Sequence, residues 1–249
     1  MGCPAGFPER REAPIVLHGE VADEAPTAID LYHAAAEVGQ GTHTALVQMA
    51  AEATGVPVEA VTAHFSDTAS SGDSGSVSAS SMTFMAGNAI LGAAEEAEKA
   101  WREGDRPAEG QFRFVPRPTE ALDPATGVGD GNITFGYVAQ AVDLSVDVET
   151  GHIVVHEDEN VSDVGRAVNP ELVHGQVHGA VAQAHGYALT EHLQVADGRI
   201  LNPRLSGYLI PGIGDVAEHV ESVLLEHPDP QGPWGVRGMA EMPMLPLAP

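Results

Sequence analysis

Four segments of the chain group residue types that can act on a ligand. Glu37-Val38-Gly39-Gln40-Gly41-Thr42-His43-Thr44 sets two glycines and an amide at a strand-to-helix junction. Glycine lets the backbone approach a ligand closely, and a helix N-terminus offers unpaired N–H groups with partial positive charge, so this is a candidate anion site. An ordinary turn capped by Thr42 or Thr44 is the plainer reading. Ser76-Val77-Ser78-Ala79-Ser80-Ser81-Met82-Thr83 places small side chains and hydroxyls just before another helix. That suits a bulky polar ligand; composition alone makes the stretch a flexible Ser/Gly linker. Asp163-Val164-Gly165-Arg166-Ala167-Val168-Asn169-Pro170, followed by His174-Gly175-Gln176, opens a helix on which His174, His178, Gln183 and His185 are expected to converge. A His pair four residues apart is one way to hold a transition metal, but no Glu stands in the His-Glu-x-x-His arrangement, and solvated or capping histidines are commoner. No side chain is therefore assigned as a metal ligand. Last comes Gly235-Val236-Arg237-Gly238-Met239-Ala240-Glu241, a carboxylate in a Gly-rich, Pro-flanked loop. Partial burial would make Glu241 a general base; a solvated surface carboxylate is the alternative.

These segments need elements to hold them. The stretch from Met1 to Val38 reads as one or two strands. Ala45, Leu46, Met49, Ala50 and Ala53 recur at helical spacing from Thr42, with Gly55 and Pro57 as a stop. Val58 to Phe65 reads as a strand, and Ser70 to Ser81 leads into an alanine-rich helix over Met85 to Arg102. Residues 103–133 are dense in Gly, Pro and charge and read as a loop or crossover with a short strand at Gln111 to Val115. Val138, Val142, Leu144, Val146 and Val148, then Glu149-Thr150-Gly151, then Ile153-Val154-Val155 spell a strand, a tight turn and a strand, a hairpin expected to be central to the fold. Asn169-Pro170 opens a helix running to about Leu189, since Pro early in a helix loses no needed N–H. The remainder reads as short strands and loops punctuated by proline, and no internal repeat is visible. The expected class is α+β, with helices on mixed sheets in two layers.

Composition narrows the function. The chain has 249 residues, 36 Asp plus Glu, 11 Lys plus Arg and a formal net charge of -25. With 43% hydrophobic residues it can build a core, so the charge does not imply disorder. Such a chain repels phosphate backbones and has no basic stripe with aromatics, which argues against nucleic acid. No apolar stretch approaches a membrane span and the first residues do not read as a signal peptide, so a soluble, cytoplasmic protein is expected. Cys3 is the only cysteine, so no disulfide, zinc finger or iron–sulfur cluster forms within this chain. Lys99 is the only lysine; adaptation to high salt and GC-rich coding both account for that.

Taken in order, the segments resemble the molybdenum hydroxylases: the molybdenum-binding subunit of the xanthine dehydrogenase, aldehyde oxidase and aerobic carbon monoxide dehydrogenase family. The resemblance runs from Gly6-Phe7-Pro8-Glu9 through Glu241 and rests on the ordered set rather than on any one motif. It is confined to the last, molybdopterin-binding domain of that subunit, which would span residues 1–249 with sub-halves 1–102 and 134–249 joined by a loop over 103–133. The resemblance implies that Gly39, Gln40, Gly41, Ala79, Ser80, Ser81 and Gln176 bind the pyranopterin cofactor and that Glu241 is the catalytic base. This chain departs from the family pattern at Ser81, Arg237 and Ala240, where Arg, Lys and Gly are usual.

The activity implied is hydroxylation of an aldehyde or N-heteroaromatic carbon with water as the oxygen source. Glu241 would take a proton from that water, and Gln40 would orient oxygen ligands. The cofactor implied is molybdenum–molybdopterin, in the cytosine dinucleotide form common in bacterial members. Iron–sulfur and FAD centres would sit on partner subunits, and the remainder of the molybdenum-binding subunit would be a further partner. The alternative is a non-catalytic fragment or structural subunit that packs against a partner carrying the rest of the site. A His-based hydrolase rests only on the His spacing.

Overall fold

Every second residue of the first strands is apolar, and that alternation builds the first sheet. In the computed structural model, which describes residues 11–19 and 25–247, β1 (Arg11–His18) pairs antiparallel with β2 (Ala28–His33). Ala13, Ile15 and Leu17 of β1 and Ile29 and Leu31 of β2 are buried together. Cys3 and the Gly6-Phe7-Pro8-Glu9 start of the family resemblance lie outside the described residues. After α1 (Thr42–Thr54) comes β3 (Val61–Phe65), parallel to β2, and after α2 (Met82–Glu103) comes β4 (Ala108–Phe114), antiparallel to β1. The order is β3-β2-β1-β4, a mixed sheet. Leu46, Met49 and Ala50 of α1 join Ala86, Ala89, Ile90, Ala93 and Ala97 of α2 and the buried strand residues in one apolar cluster, which makes two layers.

The alanines of α2 have a geometric purpose. A Cβ on Gly110 in β4 would stand 2.0 Å from the Ala93 carbonyl oxygen and 2.4 Å from the Ala97 nitrogen, so helix and strand backbones touch where both side chains are minimal. β4 lies within the 103–133 stretch and belongs to this sheet, spanning Ala108–Phe114 rather than Gln111 to Val115.

The second sheet is built on the hairpin. β5 (Tyr137–Val146) and β6 (Ile153–Asp163) pair antiparallel, and β6 pairs parallel with β9 (His219–Leu225), giving the order β5-β6-β9. β6, one arm of the hairpin, is the central strand. The turn is closed by Asp147, whose carboxylate accepts the Glu149 and Thr150 N–H groups, while Gly151 takes the left-handed backbone the turn requires. α3 (Pro170–His185) packs on β9. It ends at His185, earlier than expected, and Gly186–Thr190 widens into a single π-type turn. β7 (Val195–Ala196) and β8 (Arg199–Ile200) form a two-residue ladder.

The described residues therefore form two compact units: residues 11–19, 25–135, 165–169 and 227–238, and residues 136–164, 170–226 and 239–247. Each is an α+β unit with a mixed sheet. No helix among the described residues is long and apolar enough to cross a membrane.

Candidate functional site

The turn before α1 is organised by a carboxylate. Glu37 Oε1 accepts the Gly39 and Gly41 N–H groups at 2.8 and 3.0 Å, and its Oε2 accepts the His43 N–H at 3.0 Å. Partial burial pushes the Glu37 carboxyl up, but these backbone donors and His43 outweigh it and hold the group below the ordinary carboxylate value. The helix cap is Gly41, in the left-handed region, with no side-chain bond, so neither Thr42 nor Thr44 caps α1. At this helix start the Gly41 and His43 N–H groups already hold the chain's own carboxylate. Gln40 folds over the same turn, accepting the Val38 N–H through Oε1 at 2.7 Å and donating Nε2 to the Ala36 carbonyl at 2.8 Å. One Nε2 hydrogen and one Oε1 lone pair remain to face a ligand. At Gly39 a Cβ would meet nothing within 4 Å, so the backbone here borders open space.

The segment before α2 is ordered, which overturns the flexible-linker reading. Ser71 and Ser74 are buried, Ser71 donates its hydroxyl to the His64 carbonyl, and the Glu12 N–H bonds the Asp73 carbonyl, tying the segment to β1. Composition misses this because the Ser71 hydroxyl bonds backbone rather than solvent, donating to the His64 carbonyl and accepting the Asp67 N–H. Ala79 and Ser80 both have φ 52, a left-handed conformation uncommon for residues with a Cβ. Ser81 is buried and donates its hydroxyl back to the Ser78 carbonyl, so α2 starts without a side-chain cap. The start of α2 has no side-chain cap, the arrangement in which helix N–H groups can serve an anion.

Gln176 is half-buried on α3, and Glu241 is exposed at the start of the short 3-10 turn Met242–Met244. Both belong to the second unit, whereas Gly39, Gln40, Gly41, Ala79, Ser80 and Ser81 belong to the first. The helical histidines do not converge. His174 bonds the Ser222 hydroxyl, His178 is exposed, and His185 is buried with its Nε2 3.5 Å from an Asp158 oxygen. Arg237 turns inward: it donates to the Phe135 and His227 carbonyls and pairs with Asp229 at 3.2 Å, closing its own loop.

Nothing in the residue pattern marked the role of Glu37, although a carboxylate two residues before a Gly-x-Gly turn was the available signal. The cluster at Asp30, which bonds His18 at 2.7 Å and His64 at 3.0 Å, was equally hidden because its members are far apart in sequence.

A profile of the family described as Molybdopterin cofactor-binding domain matches residues 21–107 and 97–217. The chain belongs to that family. It is 29% identical over 240 residues to a xanthine dehydrogenase of Drosophila pseudoobscura pseudoobscura, covering 86% of this chain and 18% of the relative. It is 29% identical over 225 residues to an aldehyde oxidoreductase of Megalodesulfovibrio gigas, covering 83% of this chain and 24% of the relative. The crystal structure of the aldehyde oxidoreductase from Desulfovibrio desulfuricans superposes with a TM-score of 0.83 at 28% identity, over 99% of this chain and 28% of that one. This molybdopterin-binding domain thus spans between about a fifth and a quarter of the length of those two relatives. They are oxidoreductases of the molybdenum hydroxylase family, and its fold is theirs.

The donor set present fits a pterin with phosphate oxygens. An uncapped helix start behind two left-handed residues offers N–H groups to an anion, and the open space at Gly39 leaves room beside the turn that carries Gln40.

Proposed function

We propose that this domain supplies the cofactor-holding part of an oxidoreductase that hydroxylates an aldehyde or N-heteroaromatic carbon, with water as the oxygen source. The observation that carries the reading is the pair of helix starts: one turn closed on Glu37 with Gln40 displayed beside a bare Gly39, the other uncapped behind Ala79 and Ser80. Gly39, Gln40 and Gly41 would contact the cofactor at the first and Ala79, Ser80 and Ser81 at the second, and Gln176 is the further residue proposed to bind it. A molybdenum–pterin group, when bound, supplies two-electron chemistry and acidifies water. Gln40 orients a ligand oxygen through its remaining N–H. Glu241 removes the proton from the water that supplies the oxygen, as a positioned carboxylate base. The cytosine dinucleotide form of the cofactor is part of the proposal, as are partner chains holding iron–sulfur and FAD centres.

The second unit favours a needed partner. Its buried apolar residues are valine, alanine and one methionine, while Tyr187, Leu193, Leu201, Leu205, Ile210 and Ile213 are more than half exposed. Surface of that kind marks an interaction site. We place the remainder of a molybdenum-binding subunit on it. It also keeps the second reading alive, a non-catalytic fragment that packs against a partner carrying the rest of the site.

The deciding experiment is Glu241→Gln in the assembled complex, read by turnover and by molybdenum and pterin content. Glutamine keeps the shape but accepts no proton, so turnover should fall by about two to four orders of magnitude at unchanged cofactor content. Wild-type turnover would leave Glu241 a surface carboxylate and support the fragment reading; loss of cofactor would make it structural. Gln40→Ala should lower cofactor content and rate together.

A further inference from the structure

The solvent face of the second sheet carries a side-chain set that the proposed function does not use. Parallel pairing places Glu157 of β6 opposite His219 of β9, and Glu159 opposite Glu221. His219 and Glu221 are two residues apart on one strand and so share a face. Glu157, His219 and Glu221 each bring one donor atom to within 4.8 Å of the others, and all three side chains are exposed. The His219 Nε2 lies 3.9 Å from Glu157 Oε1, too far for a hydrogen bond and near the spacing of two ligands on one ion.

This set is more than a patch of acid. An imidazole nitrogen converges with two carboxylates from adjacent, hydrogen-bonded strands, a rigid scaffold for a three-ligand site. The same face adds Asp143 of β5 opposite Glu157, next to a shift of register between Asp143 and Leu144. Like charges directly opposite across a ladder are unfavourable, and no Lys or Arg pairs with Asp143, Glu157, Glu159 or Glu221 among the described residues. A cation bound there relieves that repulsion and ties the edge strand β9 to β6.

We propose that Glu157, His219 and Glu221 form a divalent-cation site distinct from the pterin-binding residues. One nitrogen and two hard oxygens suit zinc or a neighbouring first-row ion, with water completing the shell, in preference to magnesium. The site is structural.

The test uses the full chain, stripped with chelator, and zinc alone as the probe, by titration calorimetry and by metal content after dialysis. One tight equivalent is expected, with a rise in melting temperature. His219→Ala and Glu221→Gln should each weaken that binding at least about tenfold, the loss of one ligand from a three-ligand set. His192→Ala, an exposed histidine elsewhere, should not change it. Affinity within twofold of wild type in both ligand variants overturns the site. Amide chemical shifts of the wild-type chain give a second reading that needs no variant: zinc should move β6 and β9 resonances first, and a first response confined to other histidines overturns the site equally.

Discussion

The two units solve the same packing problem with opposite materials. In the first, the inward positions of β1 and β2 are Ala13, Ile15, Leu17, Ile29 and Leu31, and α1 and α2 answer with Leu46, Met49 and Ile90, none more than 1% exposed. In the second, the inward positions of the central strand β6 are Asp158, Asn160 and Ser162, each fully buried, and α3 answers with His185. Gln140 donates to both Asp158 oxygens at 2.7 and 2.8 Å, and Ser162 bonds Asn160 at 2.7 Å, so the strand is held by polar contacts. Yet both His185 ring nitrogens and Gln140 Oε1 lack a hydrogen bond in the chain as it stands. A hydrophobic core stabilises by area removed from water, whereas a polar core stabilises only as far as each group is satisfied. The core of the first unit is apolar on both layers, whereas the centre of the second unit's sheet is polar.

The comparison breaks most visibly where backbones touch. Gly110→Ala would drive a methyl to 2.0 Å from the Ala93 carbonyl, which is helix backbone and has no rotamer to yield. The first unit should lose about 3 kcal/mol or more, read by amide exchange in β1 and α2. A loss under about 1 kcal/mol would mean α2 slides freely on β4, and the tight alanine interface would have to be abandoned. Glu37→Ala comes next. It removes a carboxylate that accepts three backbone N–H groups at a helix start, so about 1–2 kcal/mol is expected. Because the folded carboxyl titrates below the ordinary Glu value of 4.5, its contribution is complete above that pH and is lost as pH falls through the folded value. Wild type and variant should therefore converge in stability in acid; a gap that persists there would remove the charge-based account.

His185→Leu sharpens the contrast from the other side. The substitution deletes two buried nitrogens that make no hydrogen bond and, with them, the imidazole whose Nε2 lies 3.5 Å from the buried Asp158 carboxylate. Removing one partner of a buried pair leaves the Asp158 carboxylate with only its Gln140 bonds, so the second unit should lose about 3 kcal/mol. No loss, or a gain of about 1 kcal/mol, would show that the imidazole is an unsatisfied buried group whose approach to Asp158 carries no stability.

The same contrast explains what the sequence let us read. Periodicity located α1 and α2 because their buried faces are apolar, the hairpin showed through its alternating valines and its turn residues although Leu144, Val146 and Val148 are exposed, and the family resemblance followed their order. β6 was read only to Val155, since Glu157 to Asp163 shows no hydrophobic alternation and its inward face is polar. The segment 70–81 was legible as composition but not as structure, because its tie to the sheet runs from Asp73 to Glu12, far away in the chain, and Ser71 and Ser74 are buried by the fold. Glu37 was in plain view, but its role depends on three N–H groups converging on one carboxylate, a property of the turn's geometry. The metal-like set on β6 and β9 required a parallel register between strands more than fifty residues apart.

The smallest expected effect concerns the charged face of the second unit. Net charge of -25 makes self-repulsion a general term, and the register Glu159 opposite Glu221 makes it a local one. Glu159→Gln removes one of those facing charges without touching Glu157, His219 or Glu221, so the second unit should gain about 0.5 kcal/mol. The measurement belongs in chelator, where no cation compensates the repulsion already. Salt supplies the control, since raising ionic strength from about 0.01 M to 1 M shortens the Debye length from about 30 Å to about 3 Å. Wild-type melting temperature should rise across that range, and the advantage of Glu159→Gln should shrink toward zero as screening replaces the substitution. A gain that survives at high salt would come from packing or propensity rather than charge. A flat wild-type response would mean that the carboxylates of this face are already neutralised, by protons or by an ion that the chelator fails to remove.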